Sequence, residues 1–279
     1  MNTPTSLDGL EFVEVEGLKI RIRRRKRDGG IPLVFTSPWP ESLYAFQRVW
    51  PLLDASDASL IAIDIPGFGR SDGRPELMSP QAMGEFIPTL LAALGLDRVH
   101  AIAPDVGTSA ILFAAHSRPQ LFESLVVGSG ATDAALAAGT LKDLITAPSL
   151  APFEAISGDV IALGAIEQLM KVKQDADTLA DYQASSAGRR FVEALAYVRA
   201  YPVDLPILRA ALPAIQTPVL SIWGEHDPLV PPANAAVLNK SLPRTRSVVF
   251  DSGHFVWEDR APEYAAAILE WTRGGYRTA

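Results

Sequence analysis

Cysteine is absent from the 279 residues, which excludes disulfides, thiolate metal sites and a cysteine nucleophile. Positive charge is scarce: 25 Lys and Arg stand against 32 Asp and Glu, a net charge of −7 that argues against a nucleic-acid binder. The one basic run, RIRRRKR at 21–27, has an alternating start and is followed by DGG, so it reads as an exposed edge strand entering a turn. No apolar run approaches the roughly 20 residues of a membrane span. The N-terminal MNTPTSLDGLEF lacks a basic region followed by an apolar one, so no membrane partner is expected and the cytoplasm is the default compartment. A glycine-rich dinucleotide fingerprint is missing after the first strand, PGFG at 66–69 does not match a phosphate loop, and no cofactor is expected. Histidine is rare as well. His100, His116, His226 and His254 have no metal-type spacing partners, so no metal site is expected.

What is present is a soluble-enzyme composition, 48% hydrophobic and 20% charged, in a chain long enough to bury a large core. EFVEVEG (11–17) and LKIRIRR (18–24) read as a hairpin turning at Gly17, and PLVFTS (32–37) as a buried strand. Further strands are expected at SLIAIDI (59–65), RVHAIA (98–103), ESLVVGS (123–129), TPVLSIWG (217–224) and RSVVFDS (246–252). Between them lie helical patterns at 42–50, 79–94, 106–115, 233–242 and 262–271, the second opening with the helix-start pattern SPQAMGE. Strands alternating with helices imply an α/β chain with a mostly parallel sheet covered on both faces. The alternation stops at 131–216, an Ala-, Leu- and Asp-rich interval that reads as several helices inserted between two core strands.

One aspartate stands out. In AIAPDVGTSA (101–110), Asp105 sits where an apolar strand passes into a small-residue helix, with Ala103 two residues before it and Gly107 two after. A sharp strand-to-helix turn needs small neighbours and projects its central side chain outward. Here the sequence resembles the α/β-hydrolase fold family over nearly its whole length. DIPGFGRSD (64–72) looks like the segment after that family's fourth strand, WGEHDPLVP (223–231) like its acid loop and DSGHFVWED (251–259) like its histidine loop. The resemblance implies an eight-stranded core formed by 1–130 and 217–279, with a helical cap at 131–216 after the sixth strand. It also places the nucleophile at Asp105, the orienting acid at Asp227, the base at His254 and the oxyanion N–H groups at Trp39 and Val106. Glu225 and Asp133 are weaker candidates for the acid. His100, His116 and His226 read as structural.

Aspartate at the turn changes the chemistry relative to serine. A carboxylate is ionised at neutral pH and needs no base for its own attack. It displaces a good leaving group at saturated carbon, giving an alkyl ester that a histidine-activated water then hydrolyses through an oxyanion. Relatives with this aspartate are mainly epoxide hydrolases and haloalkane or haloacid dehalogenases. The first kind needs lid proton donors, for which Tyr182, Tyr197 and Tyr201 are the candidates, and the second needs N–H groups around a halide. Val106 stands where dehalogenases commonly carry tryptophan or arginine, and no tryptophan occurs between Trp50 and Trp223. Those features favour an epoxide, with a small, largely apolar molecule as partner to a monomer or homodimer.

Two departures from the family pattern keep other readings open. In LAYVRAYP (195–202) the position matching the second lid tyrosine is Val198, and in SPWPES (37–42) the family's His-Gly is replaced by Ser37-Pro38. A dehalogenase, a lyase or cyclising enzyme using Asp105 as acid or base, and a receptor without turnover remain as alternatives. The sequence also leaves open whether Asp105 is native or stands in place of a serine.

Overall fold

The computed structural model describes residues 7–279. The first six residues of the expected core, with the start of the segment searched for a leader, lie outside the described residues. Eight strands form one sheet in the order β1-β2-β4-β3-β5-β6-β7-β8. These are β1 (Leu10–Val15), β2 (Leu18–Arg25), β3 (Leu33–Thr36), β4 (Leu60–Ile63), β5 (Val99–Pro104), β6 (Phe122–Gly128), β7 (Val219–Gly224) and β8 (Thr245–Phe250). The β1-β2 hairpin and the β2-β4 pair are antiparallel, and every other neighbouring pair is parallel. Its turn uses left-handed conformations at both Glu16 and Gly17.

Why the central strands read as unbroken apolar runs is visible in their alternation. Along β3, Val34 packs into one core layer while Leu33 and Phe35 pack into the other. Along β4, Ile61 and Ile63 face the first layer and Leu60 and Ala62 the second. A strand covered on both faces has no polar side to show. The first layer is roofed by α1 (Pro80–Ala93) and α2 (Val106–Ser117), the second by the turn at Trp50–Ala55 and by α11 (Ala261–Thr272). Two 3-10 turns, Leu43–Phe46 and Trp50–Ala55, replace the α-helix expected at 42–50. Ser42 caps the first, and Pro51 at the start of the second supplies no N–H to extend the first into an α-helix.

The basic run is also corrected. β2 is not an edge, because β1 covers one side of it and β4 the other. Arg21 is buried and donates from Nε to Asp64 at 2.6 Å and from both terminal nitrogens to Asp181 at 2.6 and 2.8 Å, while Arg23 stacks on Trp50. Sequence alternation alone could not reveal carboxylates arriving from 43 and 160 residues away.

Between β6 and β7 the chain makes α3 (Gly139–Thr146), α4 (Ala151–Glu154), α5 (Gly158–Leu169), α6 (Ala176–Ser186), α7 (Arg190–Arg199) and α8 (Tyr201–Ala211), with no strand among them. Asp181, on α6, carries the Arg21 pair, so the insertion is fastened to the sheet by a buried ion pair. After β7 come α9 (Ala233–Ser241), then β8, α10 (Val256–Asp259) and α11. No helix among the described residues is long and apolar enough to cross a membrane.

Candidate active site

Asp105 stands between β5 and α2 with φ 52° and ψ −126°, a conformation that costs a non-glycine residue of order 1–3 kcal/mol. Its neighbourhood over-determines the strain. The Asp105 N–H donates to the Gly128 carbonyl at 2.9 Å. The Thr108 hydroxyl donates toward the Ala103 and Gly128 carbonyls, at 3.0 and 3.1 Å, and accepts from the Gly128 N–H. A Cβ at Gly107 would collide with Thr36 Oγ1, and one at Gly130 with the Asp105 carbonyl. The small residues at the turn are therefore dictated by close approach of α2 to β3 and of the chain after β6 to the turn itself. Thr108 and Gly130 were not singled out from sequence, because their role depends on strands adjacent only in space.

The carboxylate of Asp105 is fixed from two sides. The Trp39 N–H, in the turn after β3, donates to its Oδ2 at 2.7 Å, and His254 Nε2 lies 3.6 Å from its Oδ1. His254 follows β8, and its Nδ1 meets Asp227 Oδ2 at 2.8 Å. Asp227 follows β7 and is oriented in turn, its Oδ1 accepting the Leu229 and Val230 N–H groups at 2.8 and 2.9 Å. Three residues separated by 122 and 27 positions thus meet at the carboxyl ends of β5, β7 and β8, because parallel strands present all their following loops on one edge. The residues expected from sequence as nucleophile, acid and base are brought together; Glu225 is exposed, and Asp133 caps a turn and pairs with Arg209 at 2.6 Å.

Electrostatics at this junction favour the imidazolium. Burial pulls the His254 pKa down, but the Asp227 and Asp105 carboxylates outweigh it and push it up to about 10. A group whose pKa is raised on folding stabilises the native state while it is protonated in both states, and that contribution is lost as pH climbs past the folded value. The Tm of the wild type is therefore expected to fall between pH 6.5 and about 10. His254→Gln should flatten that part of the curve, as read by thermal denaturation across pH. An equally steep decline in the variant would contradict the assignment.

Of the other histidines, His100 is buried in β5 with Nδ1 2.7 Å from Ser124 Oγ, and burial lowers its pKa to about 4. His226 is exposed and lies 3.2 Å from Asp251, and His116 is exposed at the end of α2.

Asp105 and His254 open onto a cavity of about 570 Å³ between the sheet edge and the insertion. Its walls are largely apolar, with Leu141, Leu144, Phe153, Ile161, Phe191 and Val198 from the insertion facing Trp39, Val106, Leu229 and Phe255. No lysine or arginine lines it. The tyrosines divide sharply. Tyr201 lines the cavity, as Asp105 does. Tyr197 packs edge-on against Tyr201 and donates its hydroxyl to the Val106 carbonyl at 2.7 Å. Tyr182 lies outside the cavity lining, its hydroxyl donated to Glu258 Oε1 at 2.7 Å. Of the three candidate lid donors, Tyr201 lines the cavity and Tyr182 and Tyr197 do not. Trp39 supplies an indole to the cavity from the core side, stacked on Phe191 with ring centroids 4.8 Å apart.

A family model of the alpha/beta hydrolase fold matches residues 31–261. The chain belongs to the α/β-hydrolase fold family. It is 28% identical over 262 residues to a haloalkane dehalogenase of Mycolicibacterium paratuberculosis, covering 87% of this chain and 83% of that one. Among solved structures it resembles haloalkane dehalogenase DbeA of Bradyrhizobium elkani, with TM-score 0.81, 23% identity and coverage of 97% and 99%. It also resembles epoxide hydrolase CorEH, with TM-score 0.77, 17% identity and coverage of 94% and 97%. At these identities the solved structures establish the fold, while the activity must be argued from this chain's own site.

Proposed function

We propose that this hydrolase opens an uncharged, largely apolar epoxide to a diol through an alkyl ester on Asp105. The observation that carries the reading is the meeting of Asp105, His254 and Tyr201 at one apolar cavity, with Tyr201 the only tyrosine lining it among the described residues. Burial, with Tyr197 and Asp105 alongside, holds the Tyr201 pKa well above its ordinary value. A phenol kept neutral beside a nucleophilic carboxylate suits proton donation to a nascent alkoxide.

The resting imidazolium closes the proton balance. Asp105 attacks an epoxide carbon, the C–O bond breaks and the alkoxide takes the Tyr201 proton; the phenolate recovers a proton from His254. Esterification removes the Asp105 charge that helped hold His254 protonated, leaving a neutral imidazole oriented by Asp227. His254 then takes a proton from water as hydroxide adds to the ester carbonyl. The tetrahedral oxyanion is met by the Trp39 N–H and by that of Val106, the first residue of α2. Collapse expels the second alkoxide, which takes the remaining water proton, and Asp105 carboxylate with His254 imidazolium returns.

Carbon–halogen cleavage by the same ester is the second reading, favoured by the haloalkane dehalogenase relative and by the Trp39 indole in the cavity wall. A haloacid fits less well, because the ionisable side chains lining the cavity are Asp105, Asp143, Tyr201 and His254, with no lysine or arginine to hold a carboxylate. A panel of neutral epoxides, haloalkanes and haloacids, scored for diol, halide and hydroxy acid, should give diol from neutral epoxides and no turnover of haloacids. Halide release without diol formation would move the assignment to dehalogenation.

A further inference from the structure

Beside the catalytic residues lies a second buried pair of carboxylic groups. Glu41, two residues after Trp39, is fully buried, and the Trp257 indole N–H donates to its two oxygens at 3.3 and 3.2 Å. Glu258, next to Trp257 in α10, is 1% exposed. Tyr182 of α6 donates to its Oε1 at 2.7 Å, and the half-exposed Arg48 has Nε 3.7 Å from its Oε2. Counting protons exposes a shortage. Tyr182 has one hydroxyl proton, already committed to Glu258, which the Gln174 amide also serves, and Trp257 has one indole proton for Glu41. The cations facing the pair are the Arg48 guanidinium, near Glu258, and His254, facing a Glu41 that also feels Asp105, and two ionised carboxylates in this interior would repel strongly.

We propose that Glu41 and Glu258 hold one proton between them, carried on Glu41, and that neutral Glu41 is a positioning residue that ties the Trp39 turn to the helix following His254 without adding charge behind His254. This deepens the ester mechanism and rests on it only for its catalytic consequence. Asp105, Asp227 and His254 already carry two negative charges and one positive. An ionised Glu41 would keep His254 protonated after Asp105 is esterified, and the ester would wait for its base. Glu258, by contrast, has Arg48 nearby to favour its ionised form. The electrostatic directions agree: burial and the neighbouring Glu258 push Glu41 well above the usual carboxylate range, while Glu258 is pushed, chiefly by burial, to about 7. The charged groups facing Glu41 are Glu258, Asp105 and His254, and Tyr182 faces both glutamates.

Two measurements on the resting protein test this without any substrate. The infrared spectrum at about pH 9, above the Glu258 value, should contain a protonated-carboxyl band that disappears in Glu41→Gln, and the NMR titration of His254 should be the same in the two proteins within about 0.3 unit. Persistence of the band in Glu41→Gln, or a fall of the His254 midpoint by about a unit, would show an ionised Glu41 and overturn the proposal. Positioning is read separately in single-turnover ester hydrolysis. Glu41→Ala should slow that step about tenfold, equivalent to about 1.4 kcal/mol, with Glu41→Gln restoring it. A wild-type rate in Glu41→Ala would remove the positioning role. Absence of any ester in wild type would overturn the mechanism while leaving the infrared and NMR results to judge the proton pair.

Discussion

Replacing His254 with glutamine is expected to stop the catalytic cycle with Asp105 alkylated. Attack by Asp105 needs no base, and without the histidine its Oδ2 is still held by the Trp39 N–H. Water activation does depend on it, and loss of a general base slows such a step by about 10²–10⁴-fold. Intact-protein mass spectrometry after mixing with an epoxide should show a persistent adduct of one substrate mass, mapped to the 101–110 segment by digestion. Wild-type protein should show the adduct only transiently. Robust wild-type turnover with no adduct in the variant would point to direct acid–base chemistry, as in the lyase or cyclase alternative. Glutamine keeps the side chain's approximate size and a hydrogen-bond donor toward Asp227, so the variant is expected to fold.

The second large effect belongs to Tyr201. Replacing it with phenylalanine keeps the ring against Tyr197 and removes only the hydroxyl in the cavity. Ring opening leaves alkoxide charge in a water-poor site, where a well-placed donor contributes roughly 3 kcal/mol, about a hundredfold in rate. Alkylation of Asp105 by an epoxide, followed in the His254→Gln background, should slow by about that factor. Tyr182→Phe should leave the alkylation rate within about twofold, since its hydroxyl serves Glu258 rather than the cavity. An unchanged rate in Tyr201→Phe would remove the epoxide reading's proton donor and favour a halide leaving group near Trp39.

The contrast among the three tyrosines shows where sequence reasoning ended. Tyr197 and Tyr201 each lie two positions from Arg199, on opposite sides, and nothing in LAYVRAYP says which faces the cavity. The break between α7 and α8 at Ala200 decides it, turning Tyr201 toward Asp105 while Tyr197 reaches the Val106 carbonyl. Glu41 and Glu258 were invisible for a related reason. Glu41 lies two residues after Trp39 and Glu258 four after His254, yet their pairing spans 217 residues and passes through Tyr182 in the insertion.

What the sequence determined by itself was the local grammar. Unbroken apolar runs required strands covered on both faces, the halt in alternation from 131 to 216 located the helical insertion, and Asp105 among small residues specified a tight strand-to-helix turn. These are properties of neighbours in the chain, and backbone sterics and hydrophobic periodicity act at that range. The family resemblance pointed to Asp227 and His254 as partners of Asp105, but tertiary structure alone decided that Arg21 is buried on Asp181, that Tyr201 rather than Tyr182 borders the cavity, and that Glu41 meets Trp257. Those pairings depend on the order in which strands assemble and on how the insertion folds back over their carboxyl ends. Hydrogen bonds and buried charges then select partners by distance in space, which spacing along the chain does not encode.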